Sequence, residues 1–199
     1  MHIFNLIDHI DVLASTIVNG RIKSFGIDGP PGCGKTQVLV TEFADAWARF
    51  TGRPVSVVLE ILSMREATDI AGLPLLDKSN PEFPAYRYGT PDIFRRVMQA
   101  EHFHDGNVLL VLDEFTQCPL DMQKVVADLI QNGRTGEYTL PNNVWIVATG
   151  NRLSDGAGVT KQLTMLTNRM VWYHVTLPIK HWVDYAQRIN LPPLAISFA

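Results

Sequence analysis

The stretch Gly29-Pro30-Pro31-Gly32-Cys33-Gly34-Lys35-Thr36 constrains this chain more than any other segment of its length. An apolar approach, Phe25-Gly26-Ile27, leads into it, and residues 36–50 follow, with Leu39, Phe43, Trp47 and Phe50 recurring at helical spacing on one face. Strand, glycine-rich turn and helix in that order make a phosphate-binding loop, whose backbone N–H groups and helix N-terminus surround phosphate oxygens. Lys35 is then placed to reach the β- and γ-phosphates of a nucleoside triphosphate, and the Thr36 hydroxyl to ligate Mg²⁺. Gly32 and Gly34 are expected to let the backbone approach the phosphates with no Cβ in the way. An ordinary Gly/Pro turn before a helix needs only part of this pattern.

Kinases, GTPases and motor ATPases all use such a loop, so a second site has to separate them. Val108-Leu109-Leu110-Val111-Leu112 is a continuous apolar run, the mark of a central parallel strand covered on both faces, and it ends in Asp113-Glu114. Ligands of open α/β sheets bind at the carboxyl ends of the strands, which turns both acids towards the phosphates. Asp113 is expected to hold Mg²⁺ through its water shell and Glu114 to polarise the attacking water. Standing alone, the pair would read equally as a solvated turn. Asn143-Val144-Trp145-Ile146-Val147-Ala148-Thr149 is a further buried strand, and Gly150-Asn151 closes it. An amide at that tip can touch both the γ-phosphate and the water, although Gly-Asn is also common turn chemistry.

Composition bounds the rest. With 199 residues, 46 % of them hydrophobic, there is material for one sizeable core and at most a small appended subdomain. A net charge of −3 offers no general basic field for nucleic acid. No apolar run is long enough to span a membrane, and Met1-His2-Ile3-Phe4-Asn5-Leu6 has neither the basic start nor the apolar core of a signal peptide. These features lead to the expectation of a cytoplasmic protein. Cys33 and Cys118 are too few for a disulfide framework and read as reduced thiols. His102, His104 and Asp105 read as a polar helix end rather than a metal site.

Apolar strands alternating with helical stretches argue for an α/β fold with a central parallel sheet flanked by helices. Val55-Ser56-Val57-Val58-Leu59 is a second strand, and Val171-Trp172-Tyr173-His174-Val175 the last. Thr90-Pro91 is expected to cap a helix through Ile93, Phe94, Val97 and Met98. Residues 120–131 put Met122, Val125, Val126, Leu129 and Ile130 on one face, with Asn132-Gly133 as a stop. Residues 63–89 read as one long loop, either functional or an irregular surface excursion.

With these residues in place the chain resembles the MoxR-like AAA+ ATPases, in a branch frequent in bacteriophages and bacteria. Gly29 to Thr36 looks like their Walker A motif, Val108 to Glu114 their Walker B, and Asn151 their sensor 1 residue. Thr68-Asp69-Ile70-Ala71-Gly72-Leu73-Pro74 is similar to the segment carrying the family's helix-2 insert. Arg134-Thr135-Gly136-Glu137-Tyr138-Thr139-Leu140-Pro141 falls where the family has its pre-sensor hairpin. Leu166-Thr167-Asn168-Arg169-Met170 looks like the element that carries the arginine finger, which makes Arg169 a catalytic candidate; a solvated arginine closing a helix is its plainer reading.

The resemblance implies a P-loop NTPase fold of AAA+ type, with a nucleotide-binding core over residues 1–178. Residues 179–199, with Trp182, Ala186, Asn190, Pro192 and Pro193, resemble the start of a helical lid, truncated or abbreviated here. It further implies ATP and Mg²⁺ as ligands, a homo-oligomer in the form of a hexameric ring, a protein client that in this family often carries a von Willebrand A domain, and residence in the host cytoplasm if phage-encoded. A nucleotide-binding switch or phage assembly factor with little turnover stays open. A small-molecule kinase is disfavoured, because a water-activating Glu114 beside the metal would waste ATP.

Overall fold

Successive side chains of a pleated strand point to opposite faces, so a continuous apolar run feeds two half-cores. In β5 (Asn107–Asp113) Leu109 and Val111 face one half-core, while Val108, Leu110 and Leu112 face the other. In β8 (Val144–Gly150) Trp145 and Val147 join the first set, and Ile146 and Ala148 the second. Strands of this kind are stable only in the middle of a sheet covered on both sides. The computed structural model, which describes residues 24–100, 106–155 and 170–196, has that sheet. With β1 (Ser24–Asp28), β2 (Val55–Ile61) and β9 (Val171–His174), the strands run in the order β2-β5-β8-β1-β9, all parallel.

One face is covered by α1, which starts at Lys35–Val38, passes through a π-helical stretch at Leu39–Phe43 and continues as Ala44–Thr51. Leu39, Phe43 and Trp47 are buried on it, and the Trp47 indole stacks on Trp145 with ring centroids 3.9 Å apart. Phe50, expected on the same face, is 45 % exposed. Trp47 already lies over Trp145, the second residue of β8, so one turn further on the helix has run past the start of that strand. Trp47→Ala, which removes the stack and leaves a cavity, is expected to destabilise the fold by about 3–5 kcal/mol, read as a lower midpoint in urea unfolding.

The opposite face is covered by α3 (Asp92–Met98), through Ile93 and Val97, and by α4 (Leu120–Asn132), through Met122, Val126, Leu129 and Ile130. Gly133 ends α4 in the left-handed conformation (φ 63°), a position that suits glycine. The start of α3 differs from expectation. Pro91 occupies the cap position, while the Thr90 hydroxyl lies 2.9 Å from the Tyr138 hydroxyl instead of capping the helix.

Residues 63–89 also correct the sequence reading, because they are not one loop. After a 3₁₀ turn at Leu62–Met64 comes the short helix α2 (Ala67–Ala71), opened by a reciprocal capping box between Glu66 and Asp69. An antiparallel hairpin follows, β3 (Pro74–Asp77) with β4 (Ala85–Tyr88). A second hairpin, β6 (Arg134–Thr135) with β7 (Tyr138–Thr139), lies beside them, and Thr135 donates to the Ile70 carbonyl. These strands are four residues and two residues long, too short for alternation to stand out from a loop.

Another feature escaped the sequence reading. Glu60, on the edge strand β2, is only 2 % exposed, and both Arg65 and Arg96 donate to it. Arg96 also donates to the Leu59 carbonyl at 2.7 Å, so one buried carboxylate ties β2 to α3 and to the turn after β2. Two guanidinium groups satisfy the charge that burial would otherwise leave exposed to a low dielectric.

Past β9 stand α5 (Ile179–Arg188) and α6 (Pro193–Ile196). Among the described residues no helix is long and apolar enough to cross a membrane. Cys33 and Cys118 are both buried free thiols, and burial pushes the Cys118 thiol up to about 12.

Candidate functional site

At the carboxyl end of β1 the chain leaves the sheet after Asp28 and turns through residues 29–34 before α1 begins. Gly29 N–H donates to the Gly150 carbonyl, which anchors the start of the loop to the tip of β8. Gly32 and Gly34 take φ values of 74° and 83°, a region that L side chains adopt only at a cost in strain. A Cβ at either position would meet no atom within 4 Å, so handedness of the backbone, rather than crowding within the chain, demands glycine here.

Lys35 is the first residue of α1 and is only 8 % exposed. Its Nζ donates to the carbonyls of Gly29 (2.9 Å) and Pro30 (2.8 Å) and to Asn151 Oδ1 (3.1 Å). The next residue, Thr36, donates through Oγ1 to Asp113 Oδ2 at 2.7 Å. The other oxygen, Asp113 Oδ1, accepts from the Glu114 N–H at 2.9 Å and from the Thr149 hydroxyl. Asp113 is therefore held from three sides, with Thr36 on the side that faces the loop.

Glu114 follows in the left-handed region, with φ 56° and ψ 28°, a conformation that non-glycine residues adopt rarely and at a cost in strain. Its Oε2 accepts from the Ser63 hydroxyl. Asn151 sits just past β8. Its N–H donates to Thr116 Oγ1 (2.9 Å), and Thr116 Oγ1 donates to its carbonyl (3.1 Å). Arg152 then pairs with Asp155 at 3.1 Å, holding that carboxyl below the usual carboxylate range and closing the turn after the strand.

These groups line one cavity of about 330 Å³, bounded by Gly32, Gly34, Lys35, Thr36, Asp113, Glu114, Gln117, Gly150 and Asn151. Its size falls within the range of about 300–1,000 Å³ common for small-molecule sites. One ammonium, one hydroxyl, two carboxylates and the side-chain amides of Gln37, Gln117 and Asn151 line it, a set suited to a polyanion carried with a hard cation. Among the described residues there is no cluster of three or more Asp, Glu, His or Cys able to hold a metal by themselves.

Of the residues singled out in the sequence, those from Gly29 to Thr36 form the loop, and Asp113, Glu114 and Asn151 stand opposite it. Arg169 lies outside the described residues, as do His102, His104 and Asp105. Sequence reasoning missed Ser63, Thr116, Gln117 and Thr149. Thr149 carried a signal, a hydroxyl at the tip of an otherwise apolar strand; Ser63 carried none, because its partner is 51 positions away in the chain.

No family model and no curated protein matches the sequence. Solved structures do match in fold. A proposed ATPase from Cytophaga hutchinsonii superposes with a TM-score of 0.57 at 16 % identity, over 94 % of this chain and 52 % of that one. A single-substitution variant of RuvB from Thermotoga maritima gives 0.55 at 14 % identity, over 94 % of this chain and 51 % of that one. The chain thus spans about half the length of each. The five-stranded parallel sheet with helices on both faces, together with these neighbours, defines the fold as an α/β P-loop fold of AAA+ type.

Proposed function

We propose that this chain binds ATP in the cavity between the 29–36 loop and the tips of β5 and β8, and hydrolyses it as a MoxR-like AAA+ ATPase. The observation that carries the reading is the pair of contacts across the cavity mouth, Lys35 to Asn151 and Thr36 to Asp113. The first joins the loop to the residue just past β8, which pairs with β1, and the second joins it to the carboxyl end of β5, one strand further across the sheet.

Each group then has a chemical task. Lys35 now donates to neutral carbonyl and amide oxygens; exchanging them for the charged oxygens of the β- and γ-phosphates yields charge-assisted hydrogen bonds, roughly twice as strong. Thr36 and Asp113, one hydroxyl and one carboxylate side by side, fit Mg²⁺, which keeps several of its own waters and takes its remaining ligands from phosphate. When bound, that ion neutralises charge developing on the phosphate oxygens. Asn151 orients the γ-phosphate and the attacking water. Glu114 polarises that water. Arg169 stabilises the transition state from a neighbouring subunit.

In this reading residues 1–178 are the nucleotide-binding core and residues 179–199 the start of the lid. The working unit is a homo-oligomeric ring, hexameric as in the MoxR-like family, and turnover remodels a protein client, for which a von Willebrand A domain protein is the family's precedent. One observation favours a second reading, a nucleotide switch with little turnover: Glu114 is already engaged by Ser63. Steady-state phosphate release by the full chain separates the two.

Lys35→Ala tests the site directly. Nucleotide affinity, measured with a fluorescent ATP analogue, is expected to drop at least about tenfold, or about 1.4 kcal/mol, in a variant whose unfolding midpoint stays near the parental one. Unchanged affinity in the folded variant sinks the assignment.

A further inference from the structure

The backbone ladder between β5 and β8 stops at Leu112↔Ala148, short of the residues that face the cavity. Beyond the last rung, side chains take over the pairing. The Thr149 hydroxyl reaches Asp113, and the Thr116 hydroxyl bonds both the N–H and the carbonyl of Asn151. Thr116 is 1 % exposed, so water does not compete for either bond. Its approach is close: a Cβ on Gly150 would overlap the Thr116 side chain, so glycine at 150 is what lets the threonine reach the backbone beyond it.

We propose that Thr116 is a positioning residue: its hydroxyl clasps the backbone of Asn151 and so fixes where the Asn151 amide meets Lys35 and the γ-phosphate. The inference rests on the ATPase reading for its catalytic consequence and on the geometry alone for the clasp. A free segment after β8 would let the amide swing, because Asn151 lies past the ladder and its side chain has two rotatable bonds. The two bonds from Thr116 pin the peptide units on both sides of its Cα, which leaves the side chain a fixed origin. Gln117, the next residue, lines the cavity itself, so the turn Phe115–Gln117 serves the site twice.

Thr116→Val keeps the branched shape and removes the hydroxyl, while Thr116→Ser keeps the hydroxyl and loses a methyl. Two readouts are taken on the full chain: amide hydrogen exchange at Asn151, and kcat and KM for Mg-ATP. In Thr116→Val, Asn151 exchange is expected to quicken at least about tenfold and kcat to fall about 10- to 100-fold, with KM within about threefold of the parent. Thr116→Ser is expected to restore both to within about threefold. A general packing defect would instead lower both variants together and spread faster exchange through the sheet. Should the valine variant fail to fold, Thr116→Cys, with a poor acceptor in place of the oxygen, takes its place. Parental exchange at Asn151 in the valine or cysteine variant overturns the clasp, as does a serine variant as impaired as valine. A parental chain that binds ATP but shows no turnover counts against the ATPase reading, and exchange at Asn151 then decides the clasp by itself.

Discussion

Glu114→Gln is expected to bind ATP and Mg²⁺ as the parent does while turning over about 10²–10⁴ times more slowly, the usual loss when a positioned base is removed. The amide keeps the size and the hydrogen-bonding oxygen that Ser63 contacts, so the left-handed turn at residue 114 and the neighbouring Asp113 should be undisturbed. What disappears is the negative charge that draws a proton from water. Binding of a fluorescent nucleotide and steady-state phosphate release, measured on the same preparation, separate the two properties. The variant should hold ATP long enough for the triphosphate to be recovered from the protein. Hydrolysis at the parental rate would reduce Glu114 to a structural neighbour of Asp113.

Arg169→Ala is expected to lose about 10³–10⁵ in rate, the range for removing a guanidinium that stabilises charge on the transferring phosphoryl group. The sequence places Arg169 two residues before β9 (Val171–His174), which pairs with β1, the strand that leads into the 29–36 loop. In the proposed ring the finger serves the next subunit's nucleotide, which gives the prediction a second arm. Arg169→Ala and Glu114→Gln subunits, each nearly inactive alone, should recover part of the activity when mixed, because an intact finger then meets an intact glutamate at some interfaces. Solution mass with and without ATP, taken on the same samples, tests the assembly itself. Full turnover by Arg169→Ala, or hydrolysis by a strict monomer, removes the trans-acting role and with it the main support for the ring.

Much of the candidate site was legible because its parts are local. A loop that must wrap phosphates needs glycines and a lysine within a few consecutive positions, and Asp113-Glu114 and Gly150-Asn151 each end an apolar strand. What escaped notice was contributed from afar. Ser63 meets Glu114 across 51 positions, Thr116 meets Asn151 across 35, and Arg96 meets Glu60 across 36. Nothing in the residues around Ser63 or Arg96 distinguishes them from solvated surface, since the reason for each is a partner brought near by the sheet. The hairpin within 63–89 escaped for a different reason: a pattern with period two cannot emerge from strands of four residues.

By itself the sequence determined the fold class, the glycine-rich 29–36 loop and the acids opposite it, because buried parallel strands must be apolar on both faces and a glycine-rich turn between strand and helix is a local pattern. Only the tertiary structure decided the strand order β2-β5-β8-β1-β9, the left-handed turn at Glu114, and the threonines that extend the β5–β8 ladder towards the cavity. Strand order follows from how helices pack on a finished sheet. The conformation at Glu114 and the bonds from Thr116 and Thr149 exist only once β5 and β8 lie side by side, and no local propensity specifies a contact between residues that the chain keeps far apart.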